Sequence, residues 1–583
     1  MPARDSVGFR IGLHIHNRAG YHASTAMSQT ANVLTMPSPS DKDSPEKDAG
    51  HRSPRRAEDQ AGRIARPTEA PSTAEPSTEV FAVFGVEPEI QAYAMAKYSR
   101  SALSMKESLR EISSQKAEKF LNTFYFQYGH RSIADLAHIA LAIERLSILA
   151  AIEVADEQRW DGQERSTRYQ DFRKSGYYTP DFGADDEARK LYRETVDFLF
   201  AEYDALSAHM TQHLINITPK PADMKQEAYE RTLKARAFDI TRYLLPLATN
   251  TSLGEIVNAR TLETQVAHLL SHTHKEVRSL GDSLKKAATG AAYNVNAESL
   301  QDLVAQIRAV DPELGSRAEQ ELLREVKAAP TLVKYADPNP YEMETRRELR
   351  QAARELMSSE PVAPSKAIVD LLDDEPLEVE IATTLLYEHS HHSYRQIRQA
   401  VEVAGERRRR EIIELGLRHR GKHDEMLRGF RAGQQFRFDI LMDTGGFRDM
   451  HRHRRCIQIM QGFTVQHGYE MLMDMEDAGV CARFEAAMRR VQGAVEKLAA
   501  SKSPEAEENS QYAIPLAFKK RALFKMDFAE AVYISELRTT PAGHVSYRNV
   551  AYAMYEAVAR KYPALAKYFR VHDVSAPVDL LQR

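Results

Sequence analysis

The chain carries 583 residues, 43% of them hydrophobic and 28% charged, at a formal net charge of −4. That is too much chain for one ordinary core, so two or more domains are expected. The charge balance argues against a protein that coats nucleic acid, and no run of about 18 apolar residues offers a membrane span. The two cysteines form no C-x-x-C pair and can build neither a disulfide framework nor a thiolate zinc site, so a cytoplasmic setting is expected.

Residues 1–80 are rich in Pro, Ser and charge and cannot offset their own ordering entropy. They are expected to form a disordered tail, without the apolar core of a secretory signal. Residues 131–161 hold neither Gly nor Pro. Within them Ile139, Ile143, Leu146, Ala150 and Val154 recur at intervals of three and four, which predicts a helix. A further helix is predicted over 186–213, and 244–270 reads as a short irregular lead-in followed by a helix. His268, His272 and His274 are spaced like metal ligands on that helix. No H-E-x-x-H accompanies them, so core or interface positions are expected. The Pro-rich stretches 335–342 and 358–366 mark a linker, placed at 331–365. Beyond it "LEVEIATTLLYEH" (377–389) reads as β, and the basic run 405–420 as a charged helix with a solvated face. Strands look few and short, which leaves the chemistry to helices and loops.

Three motifs carry the functional signal. They are His130-Arg131-Ser132; Ile143-Glu144 with Ser147; and Gln163-Glu164 with Ser166-Thr167-Arg168-Tyr169. Together they resemble the flavin-dependent thymidylate synthases, whose signature is R-H-R, seven residues, then S. Counting back from Ser166 places the triplet on Asp156-Glu157-Gln158, so the spacing is kept and the charge is lost. The triplet itself stands about three hundred residues later, as Arg452-His453-Arg454, with Gly462 at the serine position. A second such tripeptide, Arg418-His419-Arg420, has Arg428 at that position and reads as a helix end.

The downstream family segment divides in the same way. Arg242 to Pro246 and then Asn258-Ala259-Arg260 stand in the first half, where Leu269 takes the place of the family's last Arg. The second half has Asp527 in place of the Asn but supplies that Arg as Arg538. This complementarity reads as a tandem duplication whose copies have divided the site residues, over 81–330 and 366–583.

The resemblance implies an α+β, helix-rich fold with small sheets, its two related halves packed as a pseudo-dimer, and two chains pairing as a homodimer that mimics a tetramer. It implies reductive methylation of dUMP to dTMP, with methylenetetrahydrofolate as carbon donor, FAD as cofactor and NADPH as reductant. Arg168 and Arg242, with Glu164 and Ser166, would hold dUMP. Arg452, His453 and Arg454 would hold FAD, with Asn258, Arg260 and His130. Arg538, beside the pyrimidine, and Ser166 would take the catalytic part. No catalytic cysteine is needed, and neither Cys456 nor Cys481 lies in such a context. Asp449 stands where the family has Gln, and the second half lacks S-x-R-Y. The alternative reading is therefore a catalytically degenerate flavin- or nucleotide-binding relative.

Overall fold

A computed structural model describes residues 85–97, 131–364, 367–421, 424, 426–433 and 436–581. The described residues all belong to one compact unit, within 82–583.

Two antiparallel sheets organise it. In the first, β1 (His138–Ser147), β2 (Trp160–Glu164) and β3 (Asn250–Asn258) lie in the order β1-β3-β2. In the second, β4 (Val369–Leu371), β5 (Phe436–Asp443), β6 (Ile457–Met460) and β7 (Lys519–Met526) lie in the order β4-β5-β7-β6. Apart from the added edge strand β4, the plan repeats. A long strand runs into a short helix, Ile148–Ala155 or Thr444–Met450, and a short strand follows. A long helix, Asp186–Ile217 or Cys481–Ala499, then precedes the central strand, and two helices close each half.

The repeat extends to cap chemistry. Ser147 Oγ accepts from Ala150 N (3.0 Å) at the start of Ile148–Ala155 and donates to Glu276 (2.6 Å). At the equivalent point Asp443 caps Thr444–Met450 by accepting from Gly446 N (2.6 Å), and Ser546 donates to it. Hydroxyl and carboxylate have changed places between the halves, and each pair satisfies an orphan N–H of a buried helix start.

The halves meet around an isolated bridge between Pro246 and Pro515. Proline has no N–H, so the flanking residues carry the contact. Leu247 N donates to Ile514 O (2.9 Å) and Leu516 N to Leu245 O (3.0 Å). Ala248 N donates to Tyr512 O (2.8 Å) and Ala517 N to Tyr243 O (3.1 Å). Each bond has its reciprocal, the pattern of an isologous contact between like units. One hydrophobic cluster, with Leu245, Leu247, Leu516 and Phe518 among its members, runs through both halves. A second joins the 340–356 helix to the second half through Leu349, Ala353, Leu386 and Ile397.

Several sequence expectations are corrected. The predicted helix over 131–161 is a short 3-10 turn, then β1, and only then a helix. A spacing of four fits a strand as well as a helix. A bulge at Arg145 (φ 61°) shifts the phase by one, which buries Leu146 at a helix-like interval of three. The lead-in to the 259–270 helix contains the nine-residue β3. The β-like run is the helix Leu377–Tyr387, whose β-branched residues are buried on several faces at once, so that no helical stripe shows. Within the expected linker, Asn339 caps and Pro340 opens the helix Pro340–Leu356. Among the described residues no helix is long and apolar enough to cross a membrane.

Replacing Ser147 with Ala removes a cap and strands part of the Glu276 carboxylate. It should cost about 1–2 kcal/mol, read as a lower urea midpoint at unchanged slope. Acid should weaken the fold as well. Burial holds His274, His467 and His544 at about 3 and His389 and His391 at about 4. Between roughly pH 6.5 and pH 4 the unfolded chain binds protons that these rings refuse, so stability falls as pH drops through that window. Glu255, raised to about 7 by burial, acts in the opposite sense, as do the buried carboxyls of Glu276, Glu375, Asp443 and Asp474. His451 and His453, lowered by burial, add to the five. Urea titrations at pH 7 and pH 5 should show the loss.

Candidate functional site

The loop after β2 carries the Ser166 motif, and the turn after Thr444–Met450 carries the Arg452-His453-Arg454 triplet. The register of the two halves sets one against the other. Arg168, 7% exposed, donates to both oxygens of Asp239 (3.0 and 3.1 Å), to Tyr547 Oη (3.0 Å) and to Ala542 O (3.1 Å). Ser166 Oγ accepts from Arg168 N at 3.3 Å, fixing the motif's turn. Arg242, 2% exposed, follows the helix Gln226–Thr241. Its Nε lies 3.4 Å from Asp239, and its Nη1 lies 3.4 Å from Thr167 Oγ1 and 3.9 Å from Asp449. Burial opposes ionisation of Asp239, yet His544, Arg242 and Arg168 hold it well below the usual carboxylate range.

The second half supplies the rest. Arg448 donates to Glu164 and to Thr167 Oγ1 (3.2 Å). Burial holds His453 below its ordinary pKa, and its neutral ring accepts from Arg538 Nε at 2.8 Å. Arg538 also lies over the Tyr547 ring (5.4 Å), and Arg454 lies over Trp160 (5.3 Å) and pairs with Asp161 (2.9 Å). Glu164, Arg168 and Arg242 of one half and Arg448, His453, Arg454 and Arg538 of the other thus form one cluster of interleaved charges.

Beside it opens a cavity of about 210 Å³ lined by Trp160, Gly162, Glu164, Arg448, Arg452 and Arg454. A Cβ on Gly162 would stand 2.2 Å from both Gly254 O and the Trp160 ring, so glycine is required there. Arg452 is exposed and has no ion-pair partner among the described residues. Arg448 Nε and Arg454 Nη1 on its walls are buried without an acceptor, as is Nη2 of Arg242, which does not line it. Unmet guanidinium donors beside a cavity suit the oxygens of a phosphate or diphosphate, and in that respect the residues fit a nucleotide and the diphosphate of a flavin. The volume admits a group of that size, not a whole dinucleotide.

The remaining predicted residues lie elsewhere. Asn258 caps the helix Ala259–Leu270 by accepting from Thr261 N (2.8 Å). Arg260 pairs with Asp135 (3.1 Å) and lines a different cavity. The structure thus does not bring either to the Arg452–Arg454 triplet of the same chain. His130 lies outside the described residues. Cys456 is buried, its thiol pushed up to about 12, and it donates to His453 O (2.8 Å), which is no environment for a nucleophile. Arg448, Asp239 and Tyr547 were not foreseen. Two had a signal, since Arg448 precedes Arg452 by one helical turn and Asp239 precedes Arg242 by three residues.

The Asp156-Glu157-Gln158 loop also acquires a role. Asp156 binds Arg428, and Gln158 Oε1 accepts from Arg431 at 2.6 Å. A loop that would offer cations to an anion in the family here receives cations from the second half. Among the described residues no group could hold a metal ion, and the three histidines of the 259–274 stretch are engaged otherwise. His268 meets Glu342 (2.9 Å), His272 meets Glu153 (3.4 Å), and His274 stacks on His272.

Comparison with known proteins agrees with this division. The family model for thymidylate synthase complementing protein matches residues 84–292 and again 367–564, one match on each sheet. A UPF0159 protein of Chlamydia pneumoniae is 28% identical over 531 residues, covering 86% of this chain and 93% of its own. A flavin-dependent thymidylate synthase of Clostridium tetani is 24% identical over 210 residues, 36% of this chain and 80% of its own. A solved flavin-dependent thymidylate synthase from Helicobacter pylori, complexed with FAD and dUMP, has 18% identity at a TM-score of 0.22, covering 35% of this chain and 89% of its own. The chain belongs to the thymidylate synthase complementing protein family, with the family's domain present twice.

Proposed function

We propose that the chain is an FAD-dependent thymidylate synthase that methylates dUMP reductively to dTMP, using methylenetetrahydrofolate and NADPH, at a site composed from both halves. One observation supports this reading above the others. The Ser166 motif and Arg242 of the first half lie in one cluster with the Arg452–Arg454 triplet and Arg538 of the second. Arg242 and Arg168 bind the nucleotide phosphate, and Ser166 and Glu164 orient the nucleotide. Arg452 and Arg454 take the flavin diphosphate, with His453 behind them. Arg538, whose two terminal nitrogens have no partner among the described residues, meets the pyrimidine and stabilises the charge that develops on it. FAD supplies the reducing equivalents when bound. The small cavity leaves most of a flavin outside it, so a second copy of the chain completes the site, with Asn258 and Arg260 as its contribution. The assembly is then a homodimer that mimics a tetramer.

A specific observation keeps the degenerate reading in play. Four hydrogen bonds within the protein already engage Arg168, and Asp239, paired with both arginines meant for phosphate, cancels half of their charge. In that reading the chain binds flavin or nucleotide without turnover.

Trp160, the only tryptophan, lines the small cavity and reports the difference. FAD should quench its fluorescence, and Arg452→Ala should weaken that titration about tenfold, which corresponds to one charge-assisted contact. Arg538→Ala should keep the quenching but reduce deuterium release from 5-deuterated dUMP by about 10²–10³-fold. Quenching without any deuterium release in the wild type would favour the degenerate reading. Absence of quenching would sink the synthase reading and leave only a degenerate relative that does not bind flavin.

A further inference from the structure

The large cavity, about 900 Å³, is the internal counterpart of the small one. The Asp156–Gln158 loop stands there for Arg452–Arg454, and Gly462 stands for Ser166. Its chemistry is nevertheless its own. Lys520, 2% exposed on β7, has no oxygen acceptor among the described residues. It touches Met460 Sδ at 3.8 Å and lies 4.6 and 4.0 Å from the ring centres of Phe447 and Phe463. The equivalent position on β3 is Thr251, since Lys520 faces Met442 on β5 as Thr251 faces Leu146 on β1.

A buried ammonium normally has a carboxylate beside it. The acidic groups facing Lys520 are drawn toward other cations, although Asp156 Oδ1 is buried without a hydrogen bond. Glu153, on the Ile148–Ala155 helix, lies 3.4 Å from His272, and Asp156, just beyond that helix, binds Arg428 and lies 3.7 Å from His451. His451 closes the 444–450 helix, and His391 faces Lys520 from the loop after the 377–387 helix. Burial lowers Lys520 to about 8 against the pull of Glu153 and Asp156, so most of it is charged at pH 7. On the same walls His391 Nδ1 and His274 Nε2 are buried without a partner, and burial keeps both rings neutral, so that each can donate. Along the rim, Arg346, Arg350 and Arg354 stand one helical turn apart, paired with Glu342, Glu508 and Glu507 in turn. A cation inside would meet Lys520 and Arg428, and the donors that lack acceptors call for oxygen.

We propose that this cavity is a second ligand site, for an organic oxyanion whose phosphate or carboxylate oxygens meet the Lys520 ammonium beside Phe463. Charge lost from the motif, where Thr464 stands for Arg168, has been replaced from the neighbouring strand. The site needs neither flavin nor the Arg452–Arg454 triplet.

Calorimetric titration of the full chain with phenyl phosphate and with benzoate separates the two anions on one ring. In an Arg452→Ala background, which weakens the phosphate contacts of the small cavity, binding of either probe at pH 7 should weaken at least tenfold when Lys520→Met is added. Raising the pH to 9 should weaken it by about tenfold, since the anion selects the protonated amine. The probe that binds identifies the class of anion. If Lys520→Met does not fold, His391→Phe should weaken binding at least threefold. In that background, no binding of either probe at millimolar concentration, undiminished binding with Lys520→Met or His391→Phe, or affinity that does not change with pH would each overturn the proposal.

Discussion

Where Pro246 meets Pro515, four reciprocal backbone hydrogen bonds set the register between the halves, and every composite feature depends on that register. A slip would carry Arg242, a few residues before the bridge, away from Asp449. It would also separate the Ser166 loop from Arg448. Two prolines at the centre suit the task. They restrict the backbone and remove the N–H groups that a slipped pairing would use, and the shared hydrophobic cluster reinforces the one alignment left.

Within the cluster, charge is managed by pairing rather than by exposure. Asp239 gathers Arg168 and Arg242, Glu164 holds Arg448, and neutral His453 accepts from Arg538. Each pair offsets the expense of burying a guanidinium while leaving particular N–H groups unmet. Those unmet groups, more than the number of arginines, define where an anion belongs. The two cavities follow from one duplicated framework with different unmet donors, arginine in one and lysine with histidine in the other.

Much of the site was legible in the sequence because it rests on local spacing. The interval from the triplet position to Ser166 spans one helix end, a turn and one short strand, and those lengths persist in both copies. That is why Arg168 and Arg452–Arg454 could be matched across three hundred residues. What was hidden is non-local. Asp239 and Tyr547 reach Arg168 from separate helices, and Arg260 faces the other cavity because of how the halves pack. In the fold, β1 was misread because a bulge imitates helical phase, and Leu377–Tyr387 because burial on several faces erases amphipathic periodicity.

The exchanged caps, Ser147 with Glu276 and Asp443 with Ser546, have a consequence for assembly. Each hydroxyl–carboxylate pair lies within its own half, so neither half borrows its cap from the other, although Tyr512 and Tyr243 approach Glu276 and Asp443 across the seam. The framework therefore leaves like halves free to associate, although two first halves would lack the triplet and two second halves the S-x-R-Y loop. As separate polypeptides the halves would face a sorting problem, with unproductive self-pairs competing against the useful unlike pair. One continuous chain resolves it by fixing the stoichiometry at one to one and holding the right partner at high effective concentration from synthesis onward.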